Sequence, residues 1–566
     1  MKIKSIALAF VVATATVFGD TNADIIVIGG GTAGSILMKK LSENGRFSVL
    51  GLEAGQDLTT DPAIDAVGLP AAQLAETAKP QCFWPGWNQT LPMAGLNGRT
   101  GDWTTGMLLG GDSSVNGLFY GRGSNAGYAL WEGVSGSTNW SLANILATFT
   151  ALEKYQGLTL TPGARGTTGP VNVLQTPTVA QITTDVLLPA TQAAFPGIPL
   201  VLDYDDPSVG NCLAPRSQWL IDPTGTHRVS SATAFLNGSV ITPEGKGLNG
   251  HKLNVLFNAV AIQIEVDKNG TAKKVKYLQN GEVRRASAKK AVVLAAGINS
   301  SKLLQLSGIG PAQVLADAGI TPVLINENVG KNLQNHPLLS ISMLADPALS
   351  GIPPGASYAY TIHNVYLPAV GGSASDPRML QILFDYLPAN AQTPAIVKVS
   401  VVLLNPQSVG SATIQSNNPF QLSAVDGGFY QNPADLENMK SAVKVYLRDL
   451  LDQLALSYPF PSPYFRPMIN DPINLVILTN YDDSAVEAYV KNNTNLSRDL
   501  RHFTSHCKMA PLISGGVVDG DTRVYGTKNV FVADESICPM IPDTDTTAAA
   551  MMIGSRTSEI LKALLK

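Results

Sequence analysis

An apolar run of strand length, Asp24-Ile25-Ile26-Val27-Ile28, leads directly into Gly29-Gly30-Gly31-Thr32-Ala33-Gly34. Ile36, Leu37 and Leu41 follow at the spacing of one helix face. A G-x-G-x-x-G between strand and helix lets the backbone approach a pyrophosphate, whose charge then faces free N–H groups at the helix N-terminus. A second apolar strand, Ser48-Val49-Leu50-Gly51-Leu52, ends in Glu53, nineteen residues beyond Gly34. An acidic residue about there accepts hydrogen bonds from the ribose hydroxyls of an adenosine. Strand, glycines, helix, strand and acid in this order predict an α/β dinucleotide-binding unit. Gly29, Gly31, Thr32, Ala33, Gly34 and Glu53 are its expected cofactor contacts.

That unit accounts for a small part of 566 residues, so the chain is expected to form two or more lobes. Hydrophobic residues at 45% suffice for a sizeable core, and charged residues at 14% fall well below the usual quarter. A formal charge of −4 without a basic run offers nothing to nucleic acid. No tract beyond the N-terminal segment has the length of a membrane span, so no membrane partner is expected. Residues 1–19 read as a signal peptide: Met1-Lys2-Ile3-Lys4 is basic, Ile6 to Ala15 is apolar, and Val17-Phe18-Gly19 surrounds a candidate cut. The expected destination is secreted and extracellular. Asn88, Asn139, Asn237, Asn269, Asn299, Asn492 and Asn495 open N-x-Ser/Thr sequons, as in a glycoprotein, although Asn299 falls in a motif expected against the cofactor. Cys82, Cys212, Cys507 and Cys538 allow three pairings, and the sequence chooses none. No C-x-x-C or histidine spacing suggests a metal.

Four further glycine-rich segments are dispersed along the chain: Met107–Gly117 continuing to Gly123, Ala295–Pro311, Asn328–Pro337 and Val517–Ser536. With the N-terminal fingerprint they resemble, in order, the glucose–methanol–choline (GMC) oxidoreductases. The resemblance is thinnest over 125–220 and 340–500. It implies an α/β, two-lobed fold: a Rossmann-type FAD-binding domain and a mainly β-sheet substrate domain over the flavin. The FAD-binding domain would comprise 20–124, 222–337 and 502–566, and the substrate domain 125–221 and 338–501. It also implies cofactor contacts at Gly110, Gly111, Asn116, Ala533, Asp534 and Thr546. The segment Asn254–Val260 reads as a strand whose Val260 backbone meets the adenine.

Departures from the family pattern are specific. Some relatives tether FAD through a His immediately before the motif Asn; here that position is Val115, so the flavin is expected to be held non-covalently. Asp112 stands where Ser is usual, adding negative charge beside a phosphate-binding loop, while Ser301 replaces a Pro and Asn335 an Asp.

The stretch His502-Phe503-Thr504-Ser505-His506-Cys507-Lys508-Met509 resembles the family segment that opens on the catalytic His. On that register His502 is the base, with His506 as a rival. An imidazole titrating near neutrality suits removal of a hydroxyl proton as hydride leaves for the flavin. The second catalytic position, counted seven residues back from Met552, is Asp545, where relatives carry His or Asn. Asp545 either faces the flavin, where an ion pair with His502 is one resolution of its charge, or merely caps the terminal helix marked by Ile553, Ile560, Leu561 and Leu564. The aromatics Trp84, Trp87, Tyr358 and Tyr360 read as core or loop anchors. The resulting expectation is a secreted FAD-dependent oxidoreductase that takes hydride from an alcohol-like carbon of a small molecule, with O2 or a quinone as electron acceptor. A hydroxynitrile-lyase-like enzyme and a flavoprotein without turnover are the alternatives.

Overall fold

The computed structural model describes residues 21–68, 70–84, 91–101, 103–459, 461–468, 482–496 and 501–566. The signal-peptide expectation over 1–19, the sequon at Asn88 and Trp87 lie outside the described residues. Strand β1, Thr21–Ile28, starts three residues earlier than the apolar run suggests and feeds helix α1, Thr32–Ser42. Strand β2, Val49–Leu52, returns beside β1 in parallel. Ile25 and Val27 enter one core cluster while Ile26 and Ile28 enter another, so β1 is covered on both faces. This explains why it reads as a continuous apolar run rather than an alternating one.

The sheet around β1 has seven strands drawn from distant parts of the chain. Its parallel part runs Leu253–Leu256, β2, β1, Glu282–Leu294 and Val530–Val532. The first half of Glu282–Leu294 pairs instead with an antiparallel extension, Ala272–Gln279 and Ala259–Val266. A second, five-stranded antiparallel sheet takes the order Leu338–Leu344, Ile396–Leu403, Leu380–Leu387, Thr361–Leu367 and Cys212–Ala214. The terminal helix, Thr547–Leu564, packs along α1 and buries Met552, Ile553, Ile560 and Leu561; Leu564 is 40% exposed and does not join that face.

The sequence reading of Asn254–Val260 as a single strand needs correction. Leu253–Leu256 and Ala259–Val266 are separate strands, and Asn258 turns between them with φ of +51°. Asparagine adopts that left-handed conformation more readily than most residues. All four cysteines are buried and unpaired. Among the described residues no helix is long and apolar enough to cross a membrane, and no His/Cys/Asp/Glu group could hold a metal ion.

The turn between β1 and α1 is tightly constrained. A Cβ on Gly34 would stand 1.9 Å from the carbonyl oxygen of Gly29, so any side chain there pushes α1 off the sheet. Gly34→Ala is expected to destabilise the protein by about 3 kcal/mol, the upper end of the usual overpacking cost. A urea midpoint equal to that of the unmodified chain would contradict this account of the turn.

Candidate functional site

A cavity of about 500 Å³ runs from the β1–α1 turn to the second sheet. Gly29, Gly31, Thr32, Ala33, Glu53, Gly111, Asn116, Val260, Asp534 and Thr546 line it, as do His502 and Asp545. Gly34, Gly110 and Ala533 do not. Gly34 holds the turn, Gly110 takes φ of +88° before a short helical turn, and the Ala533 N–H donates to the Leu294 carbonyl.

The nucleotide end suits an FAD. A Cβ on Gly31 would meet no protein atom closer than 3.8 Å, so Gly31 leaves space on the cavity side rather than relieving a clash. Glu53 accepts N–H groups from Gly30 at 2.7 Å and Gly55 at 2.8 Å, one on each oxygen. Each oxygen keeps a further lone pair for a ribose hydroxyl. Burial raises the Glu53 pKa despite these bonds. Asp534 accepts from Gly297 N at 3.0 Å, Ser300 Oγ at 2.5 Å and Ser536 N at 2.9 Å, which fixes it at the cavity wall. Asp112 also faces the cavity, accepting from Gly106 N at 2.8 Å, and burial raises its pKa too. Glu535 joins it there, with a pKa pushed well above the usual carboxyl range by burial.

At the other end the sequence pair comes together. His502 Nε2 lies 3.3 Å from Asp545 Oδ1. The helix that follows begins at Thr547, its N-cap residue is Thr546, and no side chain caps it. The capping reading of Asp545 is therefore overturned: its carboxylate turns towards His502. His506 sits elsewhere, fully buried with Nδ1 2.9 Å from Ser301 Oγ, and burial pushes its pKa down to about 3. It does not line the cavity.

A third histidine sets the proton positions. His336 Nε2 is 3.1 Å from two carbonyl oxygens, those of Leu404 and Pro542. Carbonyls only accept, so Nε2 carries the hydrogen. Burial, reinforced by His502, holds the His336 pKa well below its ordinary value, and the ring is neutral. Its Nδ1 is then an acceptor, and His502 Nδ1, 2.8 Å away, must donate to it. The tautomer follows from these partners. It leaves the Nε2 of a neutral His502 without a hydrogen, directed towards the cavity and Asp545. Asn335 aligns the two rings by accepting both backbone N–H groups, His336 at 2.9 Å and His502 at 3.0 Å.

Asn116 is also held by three hydrogen bonds. Its Nδ2 donates to Thr547 Oγ1 at 2.9 Å, and its Oδ1 accepts from Arg228 at 2.9 Å and Leu118 N at 3.1 Å. Trp84 and Tyr360 pack against the hydrophobic cores, in keeping with their reading as core or loop anchors, and also reach the cavity wall, while Tyr358 is buried in the core. Asp385 accepts from Thr361 Oγ1 at 2.7 Å and stands opposite Lys398 across two paired strands; Arg501 lies 3.7 Å from Glu76. Sequence reasoning assigned no role to His336, Lys302, Glu535 or Arg228. The first three lie inside the quoted glycine-rich segments, and that placement was the available signal.

Family models described as GMC oxidoreductase match residues 23–338 and 406–554. The chain is 28% identical to pyranose dehydrogenase of Agaricus campestris, covering 93% of this chain and 91% of that one. It is 29% identical to mitochondrial choline dehydrogenase of Homo sapiens, over 95% and 89%. Pyridoxine 4-oxidase from Mesorbium loti has a similar fold, with a TM-score of 0.78 at 24% identity over 96% of this chain and 99% of that one.

The open space at Gly31 and the crowded one at Gly34 predict different failures. Gly31→Val should fold with the circular dichroism of the unmodified chain and carry almost no FAD, because the side chain fills the space a pyrophosphate needs. Full flavin occupancy, read from the flavin-to-protein absorbance ratio, would show that the cofactor does not pass Gly31.

Proposed function

We propose that this chain, which belongs to the GMC oxidoreductase family and is an FAD-dependent enzyme acting on CH–OH donors, uses His502 as its base and Asp545 as the base's electrostatic partner. One observation carries the reading: the two carbonyls on His336 leave His502 Nε2 as a hydrogen-free nitrogen facing the cavity. When bound, FAD supplies the acceptor for the hydride and its two electrons. His502 takes the hydroxyl proton at Nε2 as the hydride leaves carbon, so the alcohol becomes a carbonyl compound and the imidazole becomes imidazolium. Asp545, 3.3 Å from Nε2, stabilises that positive charge. His336 keeps accepting the Nδ1 hydrogen throughout, so the neutral ring presents an acceptor, not a donor, to substrate before the proton moves. Asn116, locked by Thr547 and Arg228, holds the helix N-terminus against the cavity, where the partial positive charge of the helix favours electron-rich groups.

The substrate on this reading is a small alcohol. Relatives named for pyranose and choline define the first panel to test. The electron acceptor is O2 or a quinone. Non-covalent retention of FAD rests on Val115, which has no group to form a bond and is buried at 1% exposure. Secretion rests on residues 1–19, and the exposed Asn237, Asn269 and Asn492 are the sequons that suit glycosylation. The decisive experiment is anaerobic mixing with pyranoses, choline and other primary and secondary alcohols, followed by reoxidation with O2 or a quinone. If no alcohol bleaches the flavin, the proposal fails.

His502→Ala should slow flavin reduction about 10²–10⁴-fold, the scale of a lost positioned base. His506→Ala should leave the rate within a few-fold, and the reverse pattern would exchange their roles. Asp545→Asn removes an anion that faces the cavity while keeping its volume. The flavin midpoint potential should rise, by about 30 mV for each ~1.4 kcal/mol of two-electron stabilisation. An unchanged potential would remove Asp545 from the active site.

A further inference from the structure

Lys302 lies on the helix Asn299–Leu306, which packs against the strand Ala259–Val266. The first residues of that strand line the cavity beside Glu53, whose carbonyl accepts the Ala259 N–H at 2.8 Å. Lys302 is 7% exposed and lines the same stretch of cavity. Among the described residues its ammonium makes no hydrogen bond or ion pair, and burial alone lowers its pKa to about 8. A cation kept in such a place without a partner is costly unless something charged or strongly accepting fills the cavity.

The surrounding charges identify what that is. Glu53, Asp112, Asp534 and Glu535 all line the cavity. The other lining cations are engaged by protein groups: Lys398 stands opposite Asp385 on the second sheet, and Arg501 hydrogen-bonds Thr104 and lies near Glu76 and Asp112. A pyrophosphate entering past Gly31 therefore meets a site rich in carboxyl groups, where Lys302 is, among the described residues, the cation left without a protein partner. We infer that Lys302 is the counter-charge for the ADP half of the cofactor, retaining FAD by attraction between its ammonium and the pyrophosphate. The inference rests on FAD occupying this cavity.

The sign of the pH dependence follows. In the empty site the ammonium form prevails below about pH 8, and a bound anion raises that value. The contribution of Lys302 to FAD retention is thus complete below about pH 8 and is lost as pH rises through the higher, FAD-bound pKa.

The test is FAD release from the full-length holoprotein, followed by recovery of flavin fluorescence on dilution between about pH 6 and about pH 10. The variants are Lys302→Met, Lys302→Gln and Lys302→Arg. Release from the Met and Gln variants should be about tenfold faster than from the unmodified chain near neutrality, or ~1.4 kcal/mol. The Arg variant should stay within about threefold, since it keeps the charge. Release from the unmodified chain should accelerate towards alkaline pH, and release from the Met variant should lack that step. Equal release from all four proteins would overturn the inference. Rescue by Gln would overturn the charge and leave a neutral hydrogen bond, such as one to the adenine. Should the Met variant misfold, the Gln and Arg pair decides the question. Unmodified chain that never carries FAD would instead sink the cofactor reading itself.

Discussion

The parallel pairing of Thr21–Ile28 with Glu282–Leu294 is the contact on which the rest of the molecule depends. It joins segments more than 250 residues apart, and such closure is favourable because the paired ends Ile25–Ile28 and Ala291–Leu294 are buried on both faces. Once it forms, the loop after Leu294 lies against the β1–α1 turn, with Ala295 O close behind Gly29. Val530–Val532 then adds to the other edge of the long strand and delivers Asp534 and Glu535 to the same end of the sheet. The cofactor site is thus assembled at the carboxyl ends of parallel strands, where an open α/β sheet leaves a crevice.

The sequence disclosed those parts whose physics is local. A tight turn, a buried parallel strand and an acid at the end of the next strand each leave a mark within a few residues, so Gly29 to Glu53 could be read directly. The counting of Asp545 back from the terminal helix also identified a residue that meets His502. What stayed hidden depends on distant partners. The function of His336 follows from the carbonyls of Leu404 and Pro542, 68 and 206 residues away. Lys302 reads as an ordinary helical lysine until the strand Ala259–Val266 closes over it. The break at Asn258 was missed because an apolar segment on either side of a single left-handed residue looks like one strand.

The charge pattern of the cavity is unusual in its bias. On the sequence resemblance, Asp112 stands where the family carries Ser and Asp545 where it carries His or Asn, so both departures add acid. Burial raises the pKa of Glu53, Asp112, Asp534 and Glu535, so each of these carboxylates is costlier to keep ionised here than in water.

The two carbonyls that fix His336 belong to different parts of the molecule. Leu404 follows directly on the strand Ile396–Leu403 of the second sheet, whereas Pro542 lies in the loop leading to Asp545. One imidazole therefore senses the alignment of both parts. A slip of about 1 Å between them would take one carbonyl out of hydrogen-bonding range while leaving each hydrophobic core intact. The hydrogen on the His336 ring would then lose its fixed address, and the neighbouring His502 ring would spend part of its time as the other tautomer. Misalignment of this kind would change the proton arrangement at the cavity well before it unfolded the protein, which makes the buried histidine a gauge of whether the halves are properly seated.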